Sequence, residues 1–141
     1  MNTTMKKVMV IVPMRTGESM ESINEKQQKA EETYRNVRTF DETDDRWKFV
    51  NTVGMVVDDT TLAEAGFTHP RVKNLINGLE CLISCDDVIF GEGFNNMRYG
   101  RVMAHICNEY KIPAVAVFKK GSKYGEKLKK NSNNITVVFT E

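Results

Sequence analysis

Residues 86–96 have the sequence DDVIFGEGFNN, in which a short apolar run leads directly into a loop of glycine and asparagine. A continuous apolar run of this length, closed by turn residues, is typical of a parallel strand that is buried on both faces. Apolar residues at helical spacing lie on either side, at 72–83 and 102–110, and predict a helix before the strand and another after it. This stretch therefore indicates a helix–strand–helix unit of an α/β protein.

The same alternation continues in both directions along the chain. Residues 8–12, VMVIV, closed by Pro13, predict the first strand, and a polar helix with a cap at Ser19 or Ser22 is predicted to run to about Asn36. Three further apolar runs predict strands: 52–57, 114–118 and 135–139. The remaining segments are predicted as an irregular excursion at 38–50, a turn at 58–61, and a short basic helix or loop at 119–130.

Strands that alternate with helices predict a flavodoxin-like α/β fold: one parallel sheet of about five strands, flanked by helices and joined by right-handed crossovers. We assign residues 1–141 to a single domain of this kind. Ligands of such sheets bind in the crevice outside the carboxyl ends of the strands. Two loops, 13–18 and 91–96, are predicted to lie there.

The net charge and the lengths of the apolar runs restrict the partners and the location that we expect. The net charge is +1, so no strong field attracts nucleic acid or a membrane surface. No apolar run approaches the roughly 20 residues that cross a bilayer. We therefore expect a cytoplasmic protein without a nucleic-acid or membrane partner. Of its three cysteines, Cys81 and Cys85 have no second Cys or His pair nearby, so we expect free thiols, no metal and no cofactor.

The loop at 91–96 has features of an anion site. Gly91 and Gly93 allow the backbone to approach a ligand closely, and the helix behind them offers free N–H groups and the positive end of its dipole. Arg98 and Arg101 lie near that end, and Arg15 follows the first strand directly. The alternatives are a purely structural loop and a surface salt bridge for Arg15. Neither a P-loop nor a dinucleotide fingerprint is present.

Two stretches resemble a known family. Residues 8–15, VMVIVPMR, and residues 79–105, with the loop GEGFNNMRYGR, resemble the small DUF4406 proteins of bacteria and phages. These are relatives of the nucleoside 2-deoxyribosyltransferases and of the deoxynucleoside 5′-monophosphate N-glycosidases. The resemblance covers the beginning of the chain and residues 72–118. It implies a nucleoside 2-deoxyribosyltransferase-like fold, a homo-oligomer, and a nucleotide-like ligand.

The resemblance also implies site residues. Asp86 matches the family's aspartate, Arg98 matches its loop arginine, and Phe94 stands in place of its loop tryptophan. The ligand-binding set implied in this way, together with the anion loop, is Pro13, Met14, Arg15, Asp86, Gly91, Gly93, Phe94, Asn95, Asn96, Arg98, Tyr99 and Met103. Trp47, Phe49 or Phe94 would stack on a base, or these rings would pack in the core.

Two positions depart from the family pattern. Met103 stands where the family has its glutamate, and Tyr99 replaces the glycine after the arginine. A thioether cannot act as the nucleophile or acid that a carboxylate provides, and Met103 also fits the helix's apolar stripe. We therefore predict non-catalytic binding, as in a phage protein that sequesters a nucleotide immune signal such as an ADP-ribose derivative or a cyclic nucleotide. The alternative is an active N-glycosidase or deoxyribosyltransferase that uses Asp86 or Glu92.

Overall fold

The structure, a computed structural model, describes residues 6–39, 47–51 and 59–141. Within these residues the strands are β1 (Lys6–Ile11), β2 (Trp47–Asn51), β3 (Asp87–Phe90), β4 (Ala114–Lys119) and β5 (Ile135–Thr140). They form one sheet in the order β2-β1-β3-β4-β5, and every neighbouring pair is parallel. This confirms the predicted flavodoxin-like α/β fold with a parallel sheet of about five strands.

Helices cover both faces of the sheet. They are α1 (Met20–Val37), α2 (Asp59–Glu64), α3 (Pro70–Ile83), α4 (Arg98–Glu109) and α5 (Lys123–Asn131). On one face, Val8, Val10 and Ile89 pack with Ala30 and Tyr34 of α1. The opposite face carries the larger core, to which α3, α4 and α5 contribute Cys81, Leu82, Met103, Ala104, Cys107, Tyr124 and Leu128.

The first helix begins where one of its two predicted caps lies. The Ser19 hydroxyl accepts a hydrogen bond from the Ser22 backbone N–H at 3.2 Å, so α1 starts at Met20. The segment predicted as a basic helix or loop contains a helix, α5, capped by Ser122. In the part of the chain that the structure describes, no helix has the length and apolar character needed to span a bilayer.

The second strand corrects the prediction for residues 38–50. Residues 47–51 are not irregular but form β2, with Trp47 opposite Lys6 and parallel to β1. The Trp47 and Phe49 rings lie 5.8 and 5.7 Å from the Tyr34 ring on α1. The physical reason is alternation, because two aromatic rings face α1 while the exposed Lys48 lies between them. The strand predicted at 52–57 lies outside the described residues.

Two smaller predictions are also wrong. The turn predicted at 58–61 is helical at Thr60 and Thr61, which belong to α2 and precede the buried Leu62. The apolar spacing at 102–110 predicts Tyr110 on the same stripe of α4 as Met103, but Tyr110 is 76% exposed. The helix ends at Glu109, and the backbone of Tyr110 departs from helical geometry, so its side chain leaves the stripe.

Candidate functional site

A groove opens at the carboxyl edge of the sheet, between the first turns of α3 and α4. Both helices begin at this edge, α3 after His69 and α4 after Met97. The cavity measures about 860 Å³, within the usual range for small-molecule sites. Its lining comes from the end of β1, from α3 and from α4: Ile11, Val12, Met14, Arg71, Val72, Asn74, Leu75, Asn77, Met97, Arg98, Tyr99, Arg101 and Val102.

The two loops that the topology predicted at this edge are neighbours. The backbone N–H of Met14 lies 3.2 Å from the Met97 sulfur, and the N–H of Gly91 donates to the Ile11 carbonyl at 2.8 Å. Gly93 has a positive φ of 89°, and a Cβ there would lie 3.3 Å from Pro13 Cγ. Glycine at 93 therefore allows the loop to turn tightly against the end of β1.

Three arginines give the groove its charge. The Arg101 guanidinium donates to the Asn95 carbonyl at 2.9 Å, which fixes its position. Arg71 and Arg98 are exposed, and neither forms a salt bridge with a carboxylate among residues 6–39, 47–51 and 59–141. Both lie in the first turn of their helices, where the helix dipoles add positive potential. The groove therefore favours an anionic group at its mouth.

Apolar and aromatic side chains form the wall behind these arginines. Tyr99 on α4 is half-buried against α3, and a Cβ on Gly78 would lie only 2.1 Å from the Tyr99 hydroxyl oxygen. Only glycine at 78 leaves room for this ring between the two helices. Leu75 and Val102 continue the same surface, and Asn74 and Asn77 add amide groups to it. The wall offers contacts to a flat, partly polar ring system.

Two residues of the implied set lie in the core. Phe94 is 1% exposed, with its ring 4.8 Å from that of Phe90 and 5.2 Å from that of Phe118. Met103 is 0% exposed in the same core. Neither lines the groove, which corrects both assignments. The reason is the helix period: Met103 lies about 100° around α4 from Val102 and so faces the sheet.

Both candidate carboxylates lie away from the groove. Asp86 precedes β3 at its amino end, where its carboxylate accepts the Lys7 backbone N–H at 2.9 Å. The four residues of β3 therefore separate it from the carboxyl edge by about 13 Å. Glu92 is directed toward the other face, with its carboxylate 3.4 Å from the Thr140 hydroxyl and 3.9 Å from Lys29 Nζ. The structure does not bring these two carboxylates together.

The loop after β1 is held by a charged cluster. Glu18 accepts hydrogen bonds from the Arg15 backbone N–H and the Ser22 hydroxyl, and it pairs with Lys26 Nζ at 2.7 Å. These bonds lower the pKa of Glu18 to about 2, and the bond from Lys26 has the largest effect. Lys26 also donates to the Pro13 carbonyl at 3.0 Å. The exposed Arg15 side chain does not line the groove.

Of the predicted ligand residues, Met14, Arg98 and Tyr99 line the groove. Gly91, Gly93, Asn95 and Asn96 shape the loop beside it instead, and Asn96 is exposed. Sequence reasoning missed the contribution of α3, above all Arg71. The available signal was His69-Pro70, which marks the start of the helix that leads into β3 and so places its first turn at the carboxyl edge.

A smaller hollow of about 440 Å³ lies along α4, lined by His105, Ile106 and Glu109 of that helix and by Tyr110, which follows it. The described residues contain no group of three or more His, Cys, Asp or Glu placed to hold a metal ion. The fold and the groove together define a flavodoxin-like α/β protein with a cationic cleft at the carboxyl edge of its sheet. Comparison of the chain with protein-family models, with curated proteins and with solved structures gave no match.

Proposed function

We propose that this protein binds a nucleotide-like ligand in the groove between α3 and α4 without cleaving it. One observation carries the proposal. The groove combines exposed Arg71 and Arg98 at two helix N-termini with an apolar and aromatic wall that includes Tyr99. A phosphate fits the first part and a base or sugar fits the second.

The absence of cleavage is supported by the positions of the carboxylates. Met103, which stands where the resembling family has its glutamate, is fully buried. No Asp or Glu is among the described residues that line the groove. Asp86 and Glu92 have other partners, at the far edge and on the far face of the sheet. N-glycosidase or deoxyribosyltransferase activity is the alternative, and it requires one of these carboxylates to reach the groove.

The first experiment measures binding by calorimetry, with deoxyadenosine 5′-monophosphate, ADP-ribose and cyclic AMP as probes. The proposal expects saturable binding of at least one of them. Arg98→Ala should weaken that binding by about 1.5–3 kcal/mol, or roughly 10- to 150-fold, the range for a hydrogen bond to a charged group. Lys127→Ala is the matched control, because it removes the same charge from an exposed position on α5. Equal loss in both variants would show general charge attraction and not a site.

A second experiment separates binding from cleavage. The protein is incubated with deoxynucleoside monophosphates, and free base is measured by chromatography. The proposal expects none above the buffer control. Base release that disappears in Glu92→Gln would instead establish the enzyme. Cleavage activity that persists in both Glu92→Gln and Asp86→Asn and does not copurify fully with the protein would indicate a contaminant.

We also propose a cytoplasmic homo-oligomer, with the ligand class extending to nucleotide signals of phage defence. The ends of α3 and α4 expose two large apolar side chains, Ile83 at 79% and Tyr110 at 76%. Tyrosine is enriched at interfaces between protein chains. Light scattering on the purified protein measures the mass, and Ile83→Glu with Tyr110→Glu should convert an oligomer of this kind to monomers.

A further inference from the structure

Two cysteines lie together at the C-terminal end of α3, at the amino edge of the sheet and far from the groove. Cys81 is in the last helical turn, and Cys85 follows the cap residue Ser84. Ser84 keeps a right-handed helical backbone, with φ −84° and ψ −7°, and the N–H of Cys85 donates to the Leu82 carbonyl at 3.1 Å. The two cysteines therefore retain the spacing of one helical turn.

This spacing places the two sulfurs near each other. Residues four apart on a helix have side chains on the same face and Cα atoms about 6 Å apart. Disulfides form at Cα separations of about 4.4–6.8 Å. The Cys81 and Cys85 thiols are near enough to shift each other's pKa, which is raised at Cys81 and lowered at Cys85. A disulfide also needs Cβ atoms about 3.5–4.5 Å apart, whereas residues four apart on a helix hold them about 5–6 Å apart. Cys85 lies beyond the end of α3 at Ile83, and its backbone must move toward Cys81 by about 1–2 Å for the bond to form.

The two thiols differ in access and in their surroundings. Cys81 is 1% exposed, whereas Cys85 is half-buried and open to solvent on one side. The groups around Cys85 are the Cys81 thiol, the Ser84 hydroxyl 4.0 Å away, Lys7 of β1 and Asp86. The pKa of Cys85 is lowered to about 7, and the main cause is the Cys81 thiol. Ser84 and Lys7 lower this pKa further, whereas burial and Asp86 raise it.

The third cysteine provides an internal comparison. Cys107 is fully buried in the core beneath α4. Burial raises the pKa of its thiol to about 12. Because the thiolate is the reactive form, Cys107 should be inert under conditions in which Cys85 reacts.

We propose that Cys85 and Cys81 form a dithiol site that a hydroperoxide oxidises to an intramolecular disulfide. The Cys85 thiolate attacks one oxygen of the hydroperoxide, the O–O bond breaks, and the other oxygen leaves as an alcohol or water after taking a proton. Cys85 is then a sulfenic acid. Cys81 attacks this sulfur, an S–S bond forms, the S–OH bond breaks, and water leaves with the proton of Cys81. Two electrons pass in total from the two thiols to the hydroperoxide.

The test treats the full chain with hydrogen peroxide, alkylates free thiols in denaturant and digests with trypsin. Cys81 and Cys85 fall in one peptide, 74–98, and Cys107 falls in another, 102–111. After peroxide, peptide 74–98 should take up no alkyl groups until it is reduced, and two afterwards. Peptide 102–111 should be alkylated once throughout. The proposal would be overturned if peptide 74–98 still took up two alkyl groups after peroxide. It would also be overturned if Cys107 lost its capacity for alkylation as fast as Cys81 and Cys85.

Variants assign the two roles. Cys85→Ser should slow the reaction with peroxide at least about tenfold, because only buried thiols remain. In Cys81→Ala the reaction should stop at the Cys85 sulfenic acid, which a cyclic 1,3-diketone traps. If Cys81 in Cys85→Ser reacts at the rate of the unaltered protein, or if Cys85 reaches sulfinic acid while Cys81 stays a thiol, the assignment is wrong. None of these outcomes depends on the ligand of the groove.

Discussion

Asp87 is the one buried acidic side chain among the described residues, and its partners all come from α1 or its own strand. Its carboxylate accepts from the Tyr34 hydroxyl and from Arg38 Nε at 2.9 Å, and the Val88 N–H donates to it as well. Burial and the bond to Asp87 raise the pKa of Tyr34 above its usual value. The cluster joins the C-terminal end of α1 to the amino end of β3.

Removal of the cation from this cluster should destabilise the fold. Arg38→Met leaves the buried carboxylate with neutral donors only, and we expect it to lower the free energy of unfolding by about 1.5–3 kcal/mol. The full 3–5 kcal/mol of a completely buried pair is not expected, because the Arg38 side chain is 27% exposed. Urea unfolding measures the change. Arg38→Met in an Asp87→Asn background should cost clearly less, and additive losses would contradict a direct pairing.

Single positions are the scale at which sequence reasoning was least reliable. Asp86 and Asp87 are adjacent, yet the strand's alternation buries Asp87 under α1 and leaves Asp86 exposed beside Lys7. In sequence Phe94 lies in a Gly/Asn loop, but three aromatic rings surround it in the core. Arg98 lines the groove, and its position depends only on where α4 begins. Positions that depend on a partner distant in sequence were not predictable from local pattern.

At the scale of elements, the start of α1 depends on one ionised carboxylate. Glu18 is 11% exposed and joins the β1–α1 loop to Lys26, two turns into the helix. Its pKa in the folded protein, about 2, lies below the ordinary value of 4.5. The carboxylate therefore stabilises the fold fully above about pH 4.5, and this contribution is lost as the pH falls toward 2.

Glu18→Gln should reveal this dependence. The variant is expected to be less stable than the unaltered protein at pH 7, and the difference should shrink between pH 4.5 and 2. Urea unfolding at a series of pH values measures it. Lys26→Met removes the other half of the pair and should reproduce the loss at pH 7. A stability difference that stays constant down to pH 2 would contradict the assigned pKa.

The contact between α3 and α4 sets the shape of the groove. A Cβ at position 78 would lie 2.1 Å from the Tyr99 hydroxyl and 2.8 Å from the nearest ring carbon atoms. Gly78→Ala should therefore displace Tyr99 into the groove and weaken nucleotide binding at least about tenfold. The overall fold should survive, because the contact is with a side chain that can rotate. Calorimetric titration and far-UV circular dichroism measure the two effects, and unchanged affinity would show that Tyr99 forms no part of the site.

The elements with strong apolar runs were predicted well, and the weaker ones were not. β1, β3, β4 and β5 each have three or more apolar residues in succession, whereas β2, WKFVN, has only two. So short an apolar run carries little of the signal that predicts a buried parallel strand. The contribution of α3 to the groove depends on how α3 packs beside α4, which the motif of the loop after β3 does not record.

At the scale of the whole molecule, ligand binding in the groove should stabilise the fold, because the groove borders β1, which hydrogen-bonds to both β2 and β3. A nucleotide at 100 times its dissociation constant should add about 2.7 kcal/mol to the free energy of unfolding. For a chain of this length the expected rise in Tm is roughly 5–11 °C. Fluorescence of Trp47, the single tryptophan of the chain, reports on β2, and far-UV circular dichroism reports on the helices.

If residues 1–141 are one domain, these two probes should give the same Tm, with and without the nucleotide, because a single cooperative unit unfolds at once. At the same nucleotide concentration, Arg98→Ala should lose most of the increase and Lys127→Ala should keep it. An increase of equal size in Arg98→Ala would place the ligand outside the groove. Separate transitions for Trp47 and for the helices would instead show that the β2 edge unfolds on its own, since β1 is its only partner in the sheet.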